Sequence, residues 1–161
     1  MRSSILRRLA FLALVPVALF GIVVFAAPAE ASATSFQTLQ ADVVKWTNHQ
    51  RTRNGCKALA VNNELVRASR DHSAWMARSG TFSHVGFGGS TFDARIRAAG
   101  YSKPAAENIA WGYRSGADVV NAWMKSPGHR ANILNCKVTK VGVGAVYAAN
   151  GNPYYTQEFG Y

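Results

Sequence analysis

The sequence contains few cysteines and few acidic residues. Its 161 residues include two cysteines, and 8 Asp and Glu stand against 18 Lys and Arg. Two cysteines exclude a small domain built on many disulfides and a zinc module held by four cysteines. With 48% apolar and 16% charged residues, the composition also excludes a disordered chain. The length therefore predicts one globular domain.

Only one long apolar run is present, and it lies at the N-terminus. Three arginines precede this run at 9–27, and the segment 29–33 that follows contains two A-x-A frames. This order is typical of a secretory signal peptide, so we expect removal of residues 1–33 by cleavage after Ala33. The alternative is an uncleaved membrane anchor, because the run of 19 residues nearly suffices to span a bilayer. The favoured prediction is a secreted, extracellular domain formed by residues 34–161.

The remaining chain is basic and has no second long apolar run. The signal peptide takes away three arginines and one glutamate, so the net charge falls from +10 to +8. The basic residues are spread out, no run exceeds two, and no nucleic-acid-binding motif is present. In an exported protein such charge favours anionic wall polymers or lipid headgroups as partners over nucleic acid. The alternative is that the charge serves only solubility.

Helical spacing of apolar residues dominates the first half of this domain. One stripe at 36–50 follows a Ser or Thr cap, and a second at 65–76 follows two asparagines and is closed by Gly80. Two shorter stripes predict two further helices. Ser126 followed by Pro127 predicts a cap and the first residue of a last short helix.

Strand signals follow in the second half. The segment 107–113 is short and apolar, and apolar residues alternate over 141–147. Asn150 and Gly151 form a good hairpin turn, after which 154–159 supplies a return strand. Helices followed by a small antiparallel sheet, with a helix pair inserted, predict an α+β domain in layers.

The two cysteines, Cys56 and Cys136, follow the first and the last predicted helices. In an exported protein they are expected to form a disulfide, and with only two the connectivity is fixed. A disulfide that closes the long loop between Cys56 and Cys136 is expected to stabilise the fold by about 2–5 kcal/mol. The alternative is a pair of free buried thiols.

Five segments occur in an order found in a known family. They are residues 82–84, 106–110, 122–134, 141–144 and 155–160. Together they resemble the CAP superfamily (cysteine-rich secretory, antigen-five and pathogenesis-related proteins), or SCP domain, in its short bacterial and actinobacterial branch. The resemblance covers about residues 36–160. It implies a three-layer α-β-α sandwich with a small antiparallel sheet, and a surface cleft lined by two histidines and two acidic residues.

The resemblance also implies which residues line that cleft. His84 and His129 match the two histidines, and Glu107 matches the glutamate of the G-E-N motif, although Ala106 replaces its glycine. The second glutamate of the family falls on Ser126. The three remaining members are the expected ligands of a divalent cation such as zinc, although no cofactor is expected to be required.

Without the resemblance, the same residues indicate less. Two histidines and a glutamate are a ligand set of catalytic zinc, but no H-E-x-x-H motif organises them, and the alternative is three polar residues that cap loops. No G-x-S-x-G motif is present. Ser126 and His129 lie one turn apart and imitate part of a triad, but a helix cap explains Ser126. His72 lies on an apolar helix stripe and is predicted to be packed and hydrogen-bonded.

The aromatic residues of the second half are interpreted as core rather than as a ligand groove. They are Trp111, Tyr113, Trp123, Tyr154 and Tyr155. The resemblance implies that sterols or fatty acids are ligands of the family, but no stripe of residues here identifies such a site.

The incomplete set of cleft residues favours binding over catalysis. We expect a secreted, monomeric binding module for a lipid, a sterol or an anionic envelope polymer, with a His/Glu cleft able to hold a divalent metal. Two alternatives remain open. One is a metal-assisted, peptidase-like hydrolase of peptide or wall material, and the other is a secreted effector or toxin-like protein.

Overall fold

The computed structural model describes residues 35–161, in which helices cover both faces of one sheet. The predicted signal peptide at 1–33 and its cleavage position lie outside these residues and stay predictions. Between residues 35 and 161, no helix is both long and apolar enough to cross a membrane.

Each of the two longest helices begins where the sequence supplies a cap. The Ser35 side chain accepts a hydrogen bond from the Thr38 N–H, and the Asn62 side chain accepts one from the Leu65 N–H. Gly80 ends the second helix with φ 70°, a conformation that favours glycine. The helices are α1 (Phe36–Arg53), α2 (Asn63–Ser79), α3 (Phe92–Ala98), α4 (Gly116–Lys125) and α5 (Pro127–Ile133).

The sheet has four strands in the order β1-β3-β4-β2. The strands are β1 (Ala60–Val61), β2 (Pro104–Trp111), β3 (Lys140–Tyr147) and β4 (Pro153–Gly160). The predicted antiparallel pairing holds for β3 with β4 and for β4 with β2, whereas β1 pairs with β3 in parallel. The expectation of an antiparallel sheet therefore needs correction to a mixed one, because a strand of two residues shows no periodicity.

The sheet has helices on each face, which confirms the three-layer α-β-α prediction. On one face α2 lies directly on the backbone of β3: a Cβ added to Gly142 would come within 2.3 Å of the Val66 nitrogen, and one added to Gly144 within 2.3 Å of the Ser69 oxygen. On the other face α1, α4 and α5 pack against the sheet. Their shared core includes Leu39, Val43, Val119, Val120, Trp123, Ile133, Val141, Val143, Tyr155 and Phe159.

A disulfide and a buried arginine hold the end of α1 to the segment after α5. Cys56 and Cys136 are bonded, with Cα atoms 5.0 Å apart, as predicted. Arg51 is one of the spread-out basic residues of the sequence, and it is fully buried. Its guanidinium donates to four carbonyl oxygens, those of Lys57, Ile133, Asn135 and Val138. These four carbonyls lie in loops and at the end of α5, outside the regular hydrogen bonding of helices and strands, and the arginine supplies them with donors.

Candidate functional site

A buried carboxylate lies at the centre of the predicted cleft residues. Glu107 is on β2, on the sheet face covered by α2, and its side chain is almost entirely buried. The His84 ring donates from Nδ1 to Glu107 Oε1 at 2.7 Å, and Arg95 Nη2 donates to Oε2 at 2.5 Å. Both oxygens are therefore paired with cationic or polar donors, which a buried carboxylate requires.

Arg95, which lies on the short helix α3, also fixes the loop that carries His84. Its Nη1 donates to the backbone oxygens of His84 at 3.1 Å and Ser90 at 2.7 Å. The His84 side chain is 54% exposed, although its backbone is held. Since the Nδ1–H group donates the hydrogen bond to Glu107, the other ring nitrogen, Nε2, is left for solvent or a ligand.

A second glutamate lies across the strand pair from the first. Glu158 on β4 is in register with Glu107 on β2 and is fully buried. Among residues 35–161 neither Glu158 oxygen has a hydrogen-bond partner, so nothing there stabilises a charge on this buried carboxyl. Burial and the neighbouring Glu107 charge raise the pKa of Glu158 well above its ordinary value. Glu158 is accordingly the protonated partner.

The pKa of Glu107 moves the other way. Burial alone would raise it, but the hydrogen bond from His84, the proximity of Glu158 and the charge of Arg95 together outweigh burial and lower its pKa. The cluster of His84, Arg95, Glu107 and Glu158, here called the Glu107 cluster, therefore holds one ionised and one neutral carboxyl.

His72 borders the Glu107 cluster from α2 and confirms the prediction of a packed, hydrogen-bonded histidine. It is buried, and its Nε2 donates to the Ser83 oxygen at 2.9 Å. Burial is the largest influence on this ring and lowers its pKa. His72 is therefore neutral near pH 7, and its role is to hold the loop before His84.

The outer edge of β2 is covered by side chains from α4 and α5. Asn132 Nδ2 donates to the Glu107 backbone oxygen at 3.2 Å, and Trp123 Nε1 donates to the Ile109 oxygen at 3.0 Å. Asn132 also donates to Asn108 Oδ1 at 2.9 Å. These contacts satisfy outward carbonyls of an edge strand and place α5 beside the cleft.

The four predicted cleft residues divide between two cavities. His84 and Glu107 line a cavity of about 440 Å³. Ser126 and His129 line another of about 450 Å³ beside the end of β2, here called the β2-edge groove. Ser126 caps α5 by position, and Pro127 follows as predicted, but the Ser126 hydroxyl makes no capping hydrogen bond. The expectation that capping explains this hydroxyl was therefore wrong.

The β2-edge groove also corrects the interpretation of the aromatic residues. Trp123 and Tyr155 are core residues, as expected, and Tyr154 is buried. Trp111 and Tyr113 instead line the β2-edge groove, with 51% and 37% of their surface exposed. The sequence does not distinguish the two groups, because the exposed pair lies at the point where β2 leaves the sheet.

The geometry offers little to a metal ion. Within the described part of the chain, no group of three or more His, Cys, Asp or Glu side chains is arranged to hold one. Both oxygens of Glu107 are already engaged, one of them by the positive charge of Arg95. Burial is the largest influence on the pKa of His129 and lowers it, and the electrostatic influence of His84 lowers it further. The residues do not fit a three-ligand zinc site in this arrangement, and zinc binding stays a prediction.

Two members of the Glu107 cluster were absent from the sequence-based set. Arg95 gave no signal, because it lies on a short helix among other arginines. Glu158 did give one, since it is the only acidic residue in the predicted strand at 154–159. A carboxylate in a strand that is otherwise apolar or neutral indicates a partner across the sheet.

Comparison with known proteins gives one family. The model of the cysteine-rich secretory protein family, CAP, matches residues 44–159. An uncharacterised Bacillus subtilis protein, YkwD, is 39% identical over 128 residues, which are 78% of this chain and 48% of that relative. The chain thus spans about half the length of this curated relative.

Solved structures share the fold. An extracellular protein containing an SCP domain from Bacillus anthracis superposes with TM-score 0.69 and 28% identity, covering 77% of this chain and 40% of its own. An outer surface protein from Borrelia burgdorferi gives TM-score 0.67 and 22% identity, covering 73% of this chain and 88% of its own. At that level of identity the second likeness shows the fold alone.

Proposed function

This chain belongs to the cysteine-rich secretory protein (CAP) family, and from that premise we propose that it is an exported module that binds an anionic component of the cell envelope. Export is supported by the signal-peptide pattern at 1–33 and by the likeness to a Bacillus anthracis protein described as extracellular. The ligand is held in the β2-edge groove.

The observation that carries this proposal is the contrast between a fully paired carboxylate and an open groove next to it. Glu107 is poorly placed to activate water, because its side chain is buried and each of its oxygens already accepts a hydrogen bond, from His84 or from Arg95. Ser126 and His129 form no hydrogen bond with each other among residues 35–161, so no activated nucleophile is present there. A groove with apolar walls and a few polar groups suits binding.

This pairing also disfavours the metal-assisted hydrolase. Such an enzyme needs a metal held by side chains that remain free to coordinate it. The ligand set expected from the family is here reduced to two histidines, because His84 and Arg95 already donate to the two oxygens of Glu107. Catalysis is therefore not part of the proposed function.

The anionic character of the ligand follows from charge. The domain carries +8 without its signal peptide, and surface charges attract anionic polymers over a range set by salt. The exported protein should sediment with purified bacterial cell walls, and the bound fraction should fall as NaCl rises. Walls stripped of their anionic polymers serve as the matched control and should retain less protein at low salt. Failure to bind intact walls at low salt would contradict the proposal.

A further inference from the structure

The β2-edge groove is lined by three partly exposed aromatic side chains, here called its aromatic wall. Trp111 ends β2, Tyr113 follows it, and Phe82, 47% exposed, comes from the loop that carries His84. Single exposed aromatic residues are common on protein surfaces, but a group of them in one concavity marks a binding site.

The rings on this wall are held in place from behind. Trp111 stacks on Tyr154, with ring centroids 6.4 Å apart and an angle of 23° between the planes. The Tyr155 hydroxyl donates to the Tyr113 backbone oxygen at 2.6 Å, which fixes the segment after β2. A ligand that stacks on these rings therefore meets an ordered surface and loses little free energy in arranging it.

Two other residues that line the β2-edge groove, Ser126 and His129, offer hydrogen-bonding groups that the described residues do not use. In the described range, neither the Ser126 hydroxyl nor the His129 imidazole makes a side-chain hydrogen bond. His129 packs on Trp123, with ring centroids 6.4 Å apart. A neutral imidazole and a hydroxyl each donate and accept, as a ligand rich in hydroxyl groups requires.

The β2-edge groove continues into a basic cavity. A second cavity of about 750 Å³ shares Tyr113 and Ala122 with it and is lined by Arg114 and Lys125. The carboxylate in this cavity, Asp118, is engaged as an acceptor of the Ser115 hydroxyl at 2.7 Å. One end of the channel is therefore aromatic, and the other carries a net positive charge.

Resting on the proposed function, we propose that this channel binds an anionic glycan chain. The face of a sugar ring carries C–H groups that pack on Trp111 and Tyr113, and its edge carries hydroxyls that meet Ser126 and His129. Carboxylate substituents farther along the chain meet Arg114 and Lys125. A lipid acyl chain fits less well, because apolar ligands are bound where most of their surface is buried, and the aromatic wall is half exposed.

Titration calorimetry with two soluble probes tests this assignment. The probes are a galacturonate oligosaccharide, which is anionic, and an N-acetylglucosamine oligosaccharide, which is neutral. The wild type should bind the anionic probe more tightly, and the preference should shrink as NaCl rises. Trp111→Ala should weaken both probes by about tenfold, as expected for the loss of one stacked ring. Trp111→Phe should recover most of the affinity.

A second substitution separates charge from stacking. Lys125→Gln should weaken only the anionic probe and reduce its salt dependence. Phe36→Ala is the matched control, since this aromatic residue is also exposed but is not among those that line the channel, and it should change neither affinity. Should Trp111→Ala fail to fold, Tyr113→Ala puts the same question to the neighbouring ring.

The outcomes also separate this inference from the proposed function. If walls bind the protein but neither oligosaccharide does, the glycan assignment is overturned and the envelope-binding proposal stands. Equal affinities for wild type and Trp111→Ala would likewise overturn it. If Trp111 is required for binding to phosphatidylglycerol vesicles and not to the sugars, the ligand is a lipid and the glycan assignment is wrong. If neither walls nor sugars bind, both proposals fail.

Discussion

The Glu107 cluster and the β2-edge groove are neighbours with opposite arrangements of polar groups. In the cluster, the ionised carboxylate of Glu107 is buried and has a donor on each of its oxygens, one from His84 and one from Arg95. In the groove, Ser126 and His129 have hydrogen-bonding groups that no described residue uses.

This difference separates residues that hold the fold from residues that meet a ligand. A buried, fully paired charge contributes mostly when a partner is removed, since the charge left behind has no water to solvate it. An exposed ring or an unused hydroxyl contributes little to folding and is available for binding. Substitutions at the buried members of the cluster should therefore change stability first, and substitutions in the groove should change affinity first.

The largest effect is expected at Arg95. Arg95→Ala removes the cation from Glu107 and two hydrogen bonds from the His84 loop, so it should lower the free energy of unfolding by about 3–5 kcal/mol. Arg97→Ala is the control on the same helix, because Arg97 is exposed and donates to one carbonyl. Urea denaturation measures both. Equal losses in the two variants would show that the cluster does not depend on its cation.

The disulfide should come next. Because the disulfide closes a long loop, replacing both Cys56 and Cys136 by Ala should lower the free energy of unfolding by about 2–4 kcal/mol. The bond holds the end of α1 to the segment after α5, and neither cysteine lines the β2-edge groove. Under conditions in which the variant is folded, its affinity for the oligosaccharide should therefore equal that of the wild type. Reduced wild-type protein should unfold at the same urea concentration as the variant, and alkylation of both thiols without reductant would disprove the bond.

Much of the fold could be predicted from the sequence, because its signals are local. Ser35, Asn62 and Gly80 cap helices through contacts within a few residues, and the hairpin loop at 148–152 turns through Gly151 at φ 76°. The strand β1 could not be predicted, since its two residues are ordered only by pairing with β3. Its place depends on a distant part of the chain, because Ala60 pairs with Lys140.

The candidate site was predicted only in part, for the same reason. The motif resemblance identified His84, Glu107 and His129, but Arg95 reaches Glu107 only after α3 packs beside β2. The division of the predicted residues between two cavities is also a tertiary property. The burial of Arg51 could not be predicted for the same reason. Its neighbours in sequence suggest a surface charge, but in the fold it is buried and donates to four backbone carbonyls, three of them more than 80 residues away.

A smaller effect of opposite sign is expected at Glu158. Its raised pKa means that above about pH 4.3 the unfolded chain loses this proton while the folded chain keeps it, so stability is lost as pH rises. Glu158→Gln removes that loss and should raise the free energy of unfolding at pH 7 by on the order of 1 kcal/mol. Below about pH 4 the Glu158 side chain of the wild type is neutral in the folded and in the unfolded chain, as the glutamine of the variant always is, so the gain should vanish.

Glu64→Gln is the matched control for Glu158→Gln. Glu64 lies near the surface on α2 and pairs with Arg67 at 3.6 Å, so its replacement should change stability by less than about 0.5 kcal/mol at any pH. Urea denaturation at a series of pH values measures both variants. A gain at Glu158 that does not depend on pH would mean that this carboxyl is not held protonated in the folded chain.

The smallest effect on stability is expected from zinc binding. Its two expected ligands, His84 and His129, come one from the Glu107 cluster and one from the β2-edge groove. With Glu107 already paired, zinc has His84 and His129 as its remaining family ligands, so affinity should be modest and the fold should not require metal. When free zinc equals its Kd, the stabilisation is only about 0.4 kcal/mol. Binding requires neutral imidazoles, so it should weaken as the solution is made acidic.

Substitutions at the ends of this site decide between a weak site and none. His84→Ala and His129→Ala should each abolish zinc binding in titration calorimetry. His129→Ala should change the melting temperature little, because this residue is not buried. His84→Ala should also lower the melting temperature, because it leaves buried Glu107 Oε1 without its donor. Ser126→Glu supplies a free carboxylate in the fourth family position and should strengthen binding. Its cost to α5 should be small, since the Ser126 hydroxyl makes no capping bond. If wild type and the double histidine variant bind zinc equally, the metal lies elsewhere, and the resemblance has assigned the wrong ligands.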